Sequence, residues 1–210
     1  MEKYIENLNW RYATKRYDET KKVSEKNLAT IKEALRLSAS SYGLQPYEII
    51  VIEDPAIRKK LRAESWDQPQ ITDSSQLFVF ASYTEVTQKH LDSYIKNISE
   101  TRDIPEEDLD QMKSMIQNTT LQLPADQQKI WAAKQAYIAL GNLLGTAADL
   151  RIDASPMEGF SPEGYDKILN LNEKGLTTAV IAAIGFRSDE DKTQHLTKVR
   201  KSTEELFKTI

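Results

Sequence analysis

Two short basic patterns, one near each end of the 210-residue chain, are the residues best suited to chemistry. In Trp10-Arg11-Tyr12-Ala13-Thr14-Lys15-Arg16-Tyr17-Asp18, the residues Arg11, Ala13 and Lys15 fall at every second position. Alternate residues of an extended segment point the same way. Arg offers a two-pronged donor to a phosphate and Lys a point charge. Arg11 and Lys15 on one face, with the small Ala13 between them, therefore suit a phosphate and a neighbouring anion. Lys198-Val199-Arg200 repeats the alternation far along the chain. From the residues alone, the first pattern reads sooner as a charged edge strand and the second as a solvated tail. Together they make one phosphate site only if the fold brings them to the same place.

Other chemistries are thinly provided. There is no Cys, so no disulfide, thiolate metal site or thiol nucleophile exists. The two histidines, His90 and His195, lie in polar surroundings without metal-ligand spacing, and no metal site is expected. Neither a dinucleotide-binding glycine fingerprint nor a phosphate-binding P-loop is present. An organic cofactor would supply what such side chains lack. One further motif suits a flat ligand: Pro156-Met157-Glu158-Gly159-Phe160 reads as a turn in which Gly159 allows close backbone approach. A net charge of -4 argues against nucleic acid as a main partner. The opening Met-Glu-Lys-Tyr-Ile-Glu-Asn has no apolar core of signal-peptide length and no apolar run is long enough to span a bilayer, so a soluble, cytoplasmic protein is expected.

The elements that must position these residues are legible in outline. With 40% hydrophobic and 29% charged residues, the composition is that of one globular domain over 1–210. Ser24 caps a helix whose apolar positions are Leu28, Ile31, Leu35 and Leu37, ending in the small-residue run Ser38–Gly43. Tyr47–Ile52 and Leu77–Ser82 read as strands, and Thr178–Ile184 as a strand covered on both faces. Asp54-Pro55 and Ser161-Pro162 each start a helix, with a capping side chain and Pro at the first helical position. Residues 85–118 are charge-patterned and helical, broken near Ile104-Pro105, and read as a pair of solvated helices. Gln127–Leu150 is a long core helix with Ile130, Tyr137, Leu140, Leu144 and Ala147 apolar. The alternation points to a layered α+β or α/β domain around one sheet.

Arg11-x-Ala-x-Lys15-Arg-Tyr-Asp18 followed by Ser38-Ala-Ser-Ser41-Tyr-Gly43-Leu-Gln45-Pro46-Tyr47 resembles the opening of the FMN-dependent nitroreductase family. Met157-Glu158-Gly159-Phe160, Lys174-Gly175-Leu176-Thr177 and Lys198-x-Arg200 follow in the family's order, so the resemblance spans about residues 10 to 200. It is nearest to the oxygen-insensitive NAD(P)H nitroreductase / dihydropteridine reductase branch. The resemblance implies an α+β three-layer fold, a central mixed sheet flanked by helices, and an intertwined homodimer with FMN at the interface. Residues of about 84–123 would be a variable helical excursion near the substrate pocket.

On the same resemblance, Arg11, Lys198 and Arg200 hold the FMN phosphate and Lys15 lies near the flavin N1 and C2 carbonyl. Ser38, Ser40, Ser41, Gly43 and Gln45 come from the partner subunit, and Glu158 and Gly159 face the isoalloxazine edge. Three positions depart from the pattern: Ala13 replaces a phosphate-binding Ser, Asp67 an Asn at the pyrimidine edge, and Gln70 a second Lys found in some members. The implied activity is hydride transfer from NADH or NADPH through FMN N5, by a ping-pong mechanism, to nitroaromatics, quinones or similar electrophiles. No side chain acts as a catalytic acid or base. The alternatives are a flavoprotein of this fold with another reaction (reductive dehalogenation or flavin fragmentation), a non-catalytic flavin-binding dimer, and a phosphate-ligand domain without flavin.

Overall fold

The computed structural model describes residues 2–210. Nine helices and four strands occur among them, in three layers. The sheet has the order β1 (Tyr47–Ile52), β2 (Gln76–Tyr83), β4 (Leu176–Gly185), β3 (Asp153–Met157). Every pairing within it is antiparallel: Tyr47 opposes Ser82, Gln76 opposes Ile184, and Asp153 opposes Gly185. The layered α+β fold is thus as expected, but the sheet within this chain is antiparallel throughout, where a mixed one was expected.

The two central strands are buried along almost their whole length because helices cover both faces. Strand alternation sorts their residues. Phe78, Phe80, Val180, Ala182 and Ile184 point to one face, beneath α2 (Glu25–Arg36) and α7 (Ala125–Asp149). Leu77, Val79, Ile181 and Ala183 point to the other, against α3 (Pro55–Ala63) and α8 (Pro162–Leu169). Each fully buried Phe or Ile contributes about 1.5–3 kcal/mol of hydrophobic stabilisation. Strand β1 was expected to be buried, yet it lies at the sheet edge with Glu48 exposed and Ile49, Ile50 and Val51 half-covered. Strand β3 is an addition at the opposite edge, covering part of what read as a turn. Pro156 is tolerated there because an edge strand can spare a backbone donor.

The helix starts follow the capping logic. Ser24, Asp54 and Ser161 accept from Asn27, Ile57 and Gly164 N–H groups. On α7 the expected apolar row is corrected, because Ile130 and Tyr137 are exposed. The helix turns its small side, Ala136, Ala139 and Ala147, to the sheet, where small side chains allow a close approach. Besides β3, the helices α1 (Glu2–Trp10) and α4 (Gln70–Asp73) were not expected, nor was the terminal turn α9 (Thr203–Leu206). Helices α5 (Gln88–Arg102) and α6 (Asp110–Thr119) occupy the charge-rich segment. Between α5 and α6 lies a small core of Leu91, Ile95, Ile98, Leu109 and Ile116, so the pair is solvated on its outer faces only. Among the described residues no helix is long and apolar enough to cross a membrane.

Candidate functional site

Arg11 leaves the last turn of α1, its N–H bonded to the Asn7 carbonyl, and the chain then runs irregularly to Tyr17. Pairing in this stretch is confined to a single bridge from Tyr17 to Arg187, so the expected extended strand is largely replaced by loop. Side chains hold that loop instead. The Asp191 carboxylate accepts from the Lys15 and Arg16 N–H groups at 2.7 and 3.1 Å and from the Tyr12 hydroxyl at 3.0 Å. Its other oxygen accepts from Thr193 N–H. The backbone donors hold Asp191 below the usual carboxylate range although burial opposes them. On the neighbouring face, Arg187 packs over the rings of Trp10 and Tyr12 at 4.3 and 4.5 Å while donating to buried Asp153. Thr14 also donates to Asp153.

These ties set one wall of a cleft of about 500 Å³. Arg11, Tyr12 and Ala13 line it from one side, Pro156 of β3 from below, and Thr193, Gln194, Lys198 and Arg200 from the other. The two distant basic patterns therefore meet, though with Arg11 alone from the first. Lys15 is exposed and outside the lining, fixed through its backbone rather than its ammonium.

The cleft is electrostatically frustrated. Its lining carries three cations and no carboxylate. Burial and the Arg200 charge both push the Arg11 guanidinium below its ordinary value. Burial, with Arg11 and Arg200 nearby, does the same to Lys198. Lys198 donates to the Leu8 and Arg11 carbonyls, closing the C-terminus of α1, where a cation is favourable. Arg11 Nε is buried and has no partner. A buried donor left unmade costs about 1–3 kcal/mol, more when charged, and an anion in the cleft would satisfy it.

The remaining expected site residues form separate groups within the chain. Ser38 accepts from Asn142 of α7, Ser40 accepts from the Gln45 N–H, and Ser41 N–H donates to Gln135. Gly43 adopts φ of 79°, which favours glycine. Asp67 pairs with Arg62 at 2.8 Å in a different hollow. Gln70 is buried in α4 with an unpartnered side-chain oxygen. Glu158 is exposed and accepts from Tyr137 of α7, while Gly159 lies under Trp66, so close that a Cβ there would sit 2.6 Å from the indole. Gln68 ties this corner by donating to the Gly159 carbonyl at 2.7 Å. Trp66 and Asp67 both hold left-handed backbone, φ 52° and 56°, which costs on the order of 1 kcal/mol or more each. Trp66, Gln68, Asp153, Arg187 and Asp191 escaped sequence reading because none belongs to a spaced motif. Only the two consecutive basic patterns they support carried a signal.

The sequence profile of the nitroreductase family matches residues 8–186. The major NAD(P)H-flavin oxidoreductase of Aliivibrio fischeri is 36% identical over 210 residues, covering 97% of this chain and 96% of that one. Among solved structures, a nitroreductase-like protein of Streptococcus mutans superimposes with a TM-score of 0.86 at 18% identity, covering 100% of this chain and 99% of that one. An Exiguobacterium sibiricum chain solved in complex with FMN gives 0.84 at 19% identity, with 99% and 97% covered. On the profile match and the curated relative together, the chain belongs to the nitroreductase family.

Proposed function

We propose that the protein is an FMN-dependent NAD(P)H oxidoreductase that reduces small electron-poor acceptors, nitroaromatics and quinones among them, in a cytoplasmic homodimer. The observation that carries this is the buried, unpartnered Nε of Arg11 in a cleft shared with Lys198 and Arg200 and free of carboxylates. A phosphate answers each of those features, and charge-assisted bonds to it are about twice as strong as neutral ones. The residues fit the FMN phosphate. Arg11 and Arg200 would donate to it, and Lys198 would add charge while keeping α1 closed. Ala13 provides no hydroxyl, but Thr193 and Thr197 line the same cleft.

Bound FMN supplies the two-electron carrier that no side chain here provides. The protein's own contribution is binding and orientation. Glu158 and Gly159 stand beyond the cleft on the continuation of β3, where the flat ring system would extend. Reduced nicotinamide and acceptor would use this one exposed face in turn, a ping-pong order. The lack of any His or carboxylate lining the cleft is compatible with chemistry that needs no catalytic base there.

A dimer completes the reading. Ile130 and Ile138 of α7 are about half exposed, and Leu196, Val199, Leu206 and Phe207 of the tail more so. Such a surface suits a second copy of the chain. Ser38, Ser40, Ser41, Gly43 and Gln45 stand outside this chain's cleft, as donors meant for the partner's cofactor would. Purified protein is expected to be yellow, to bleach anaerobically with NADH or NADPH, to recolour with menadione or a nitrofuran, and to sediment as a dimer. A colourless protein that takes up no FMN sinks the assignment.

A further inference from the structure

Tyr137 and Glu158 are joined across 21 residues of sequence by a 2.5 Å hydrogen bond, the phenol donating to Oε1. Both side chains are exposed, so the bond is not explained by core packing. Pro156 lines the cation cleft and Glu158 is two residues further along the same edge. Glu158 follows directly on the last residue of β3, outside the residues that line the cleft, and its bond to Tyr137 turns its carboxylate toward α7, the helix that covers Ala154 on the same edge strand. Burial, then the bond to Glu158, pushes the Tyr137 phenol up to about 12. The phenol therefore keeps its proton at neutral pH and is the donor of the pair.

Resting on the function proposed above, we propose that Glu158, aimed by Tyr137, is a charge filter for the acceptor: a fixed negative group at the mouth that disfavours anionic acceptors and favours cationic ones. Tyr137 is a positioning residue; it fixes where the charge sits. The cations of the cleft are engaged by the FMN phosphate in the loaded enzyme, so the charge of Glu158 is the one the acceptor meets. One unit charge at about 6 Å in a wet, partly screened site changes affinity roughly fivefold. The interaction is alike in the ground state and the transition state, so it belongs in KM rather than kcat.

The test uses FMN-loaded wild type, Glu158→Gln and Tyr137→Phe with three acceptors of one shape: 4-nitrobenzyl alcohol, 4-nitrobenzoate and 4-nitrobenzyltrimethylammonium. Ratios of kcat/KM between acceptors cancel any loss of active protein. In Glu158→Gln, nitrobenzoate should gain about fivefold on the alcohol and the ammonium compound should lose a similar factor. Tyr137→Phe should give a smaller shift in the same direction, and both shifts should shrink in high salt. Binding of benzoate, followed through the flavin absorption without turnover, should tighten about fivefold in Glu158→Gln. Ratios and benzoate affinity unchanged within twofold, in enzyme that reduces all three acceptors, overturn the filter and leave the oxidoreductase assignment standing. Wild type that reduces none of the three and takes up no FMN overturns both.

Discussion

Arg187 Nη2 lies 2.6 Å from Asp153 Oδ1, a pair formed between the end of β4 and the start of β3 directly beside the cation cleft. Asp153 is 3% exposed, and the guanidinium is roofed by Trp10 and Tyr12. Removing one partner strands a buried charge. Arg187→Met should therefore lower stability by about 3–5 kcal/mol in urea unfolding. It should also weaken FMN retention, because Trp10 and Tyr12 flank Arg11. Stability within 1 kcal/mol of wild type would show the pair to be ornamental.

The three cleft cations should not be equivalent. Arg11→Ala removes the buried donor without a partner, and Arg200→Ala removes an exposed one. Each loses charge-assisted bonds of about 1.5–3 kcal/mol, roughly 10- to 150-fold in FMN affinity, with Arg11 at the larger end. Lys198→Met should do two things at once, because its ammonium also closes α1: weaken FMN and lower the melting temperature of the cofactor-free protein. Titration of flavin fluorescence at two salt concentrations reads the first, and calorimetry of the apoprotein the second.

Stability should fall in mild acid through His90. Its Nδ1 accepts from the Thr87 N–H in the capping box of α5, and its ring stacks on Tyr83 at 4.3 Å. Burial, then Lys89, holds the imidazole below its ordinary value, with Glu85 opposing. The folded state thus prefers the neutral ring. Its stability contribution is complete above about pH 6.5, the unfolded value, and is lost as pH falls towards the folded value. Amide exchange in α5 should accelerate from pH 7 to pH 5 by more than the intrinsic pH trend. In His90→Glu, whose carboxylate also suits a capping box, that excess should vanish.

Gly43 couples the helical excursion to the segment of Ser38–Gln45. A Cβ at Gly43 would stand 2.6 Å from the Tyr94 hydroxyl, which donates to the Tyr42 carbonyl. Gly43→Ala, strained also by φ of 79°, should cost on the order of 1–3 kcal/mol and loosen α5. Tyr94→Phe should show the loosening without the backbone strain. Exchange rates in α5 matching wild type in both variants would separate the two segments.

Capped, periodic elements were readable from the sequence because their signals are local: a capping oxygen before α2, α3 and α8, and alternating or unbroken apolar runs in β2 and β4. The elements that escaped lack such signals. The buried residue of α1 is Asn7, bonded to Asp149, rather than an apolar row. Strand β3 is Asp-Ala-Ser-Pro-Met, with no β-branched residue, and earns its place only by pairing with β4. The face of α7 was misjudged because alanines, weak as a hydrophobic signal, are what fits closest to a sheet. At the site, the convergence of Arg11 with Lys198 and Arg200 is a property of the whole fold, and resemblance to a family, not spacing, pointed to it. Lys15 shows the limit: its alternation with Arg11 presumed extended backbone, and Asp191 imposes a loop.

Because that cleft takes Arg11 and Arg200 from positions far apart in the sequence, it exists only after the ribosome has delivered the chain through Arg200. A nascent chain can complete its central sheet with β4 and still be unable to capture a phosphate. On the function proposed above, cofactor loading waits for the segment that carries Lys198 and Arg200, and products released before it should stay colourless even where their core has formed.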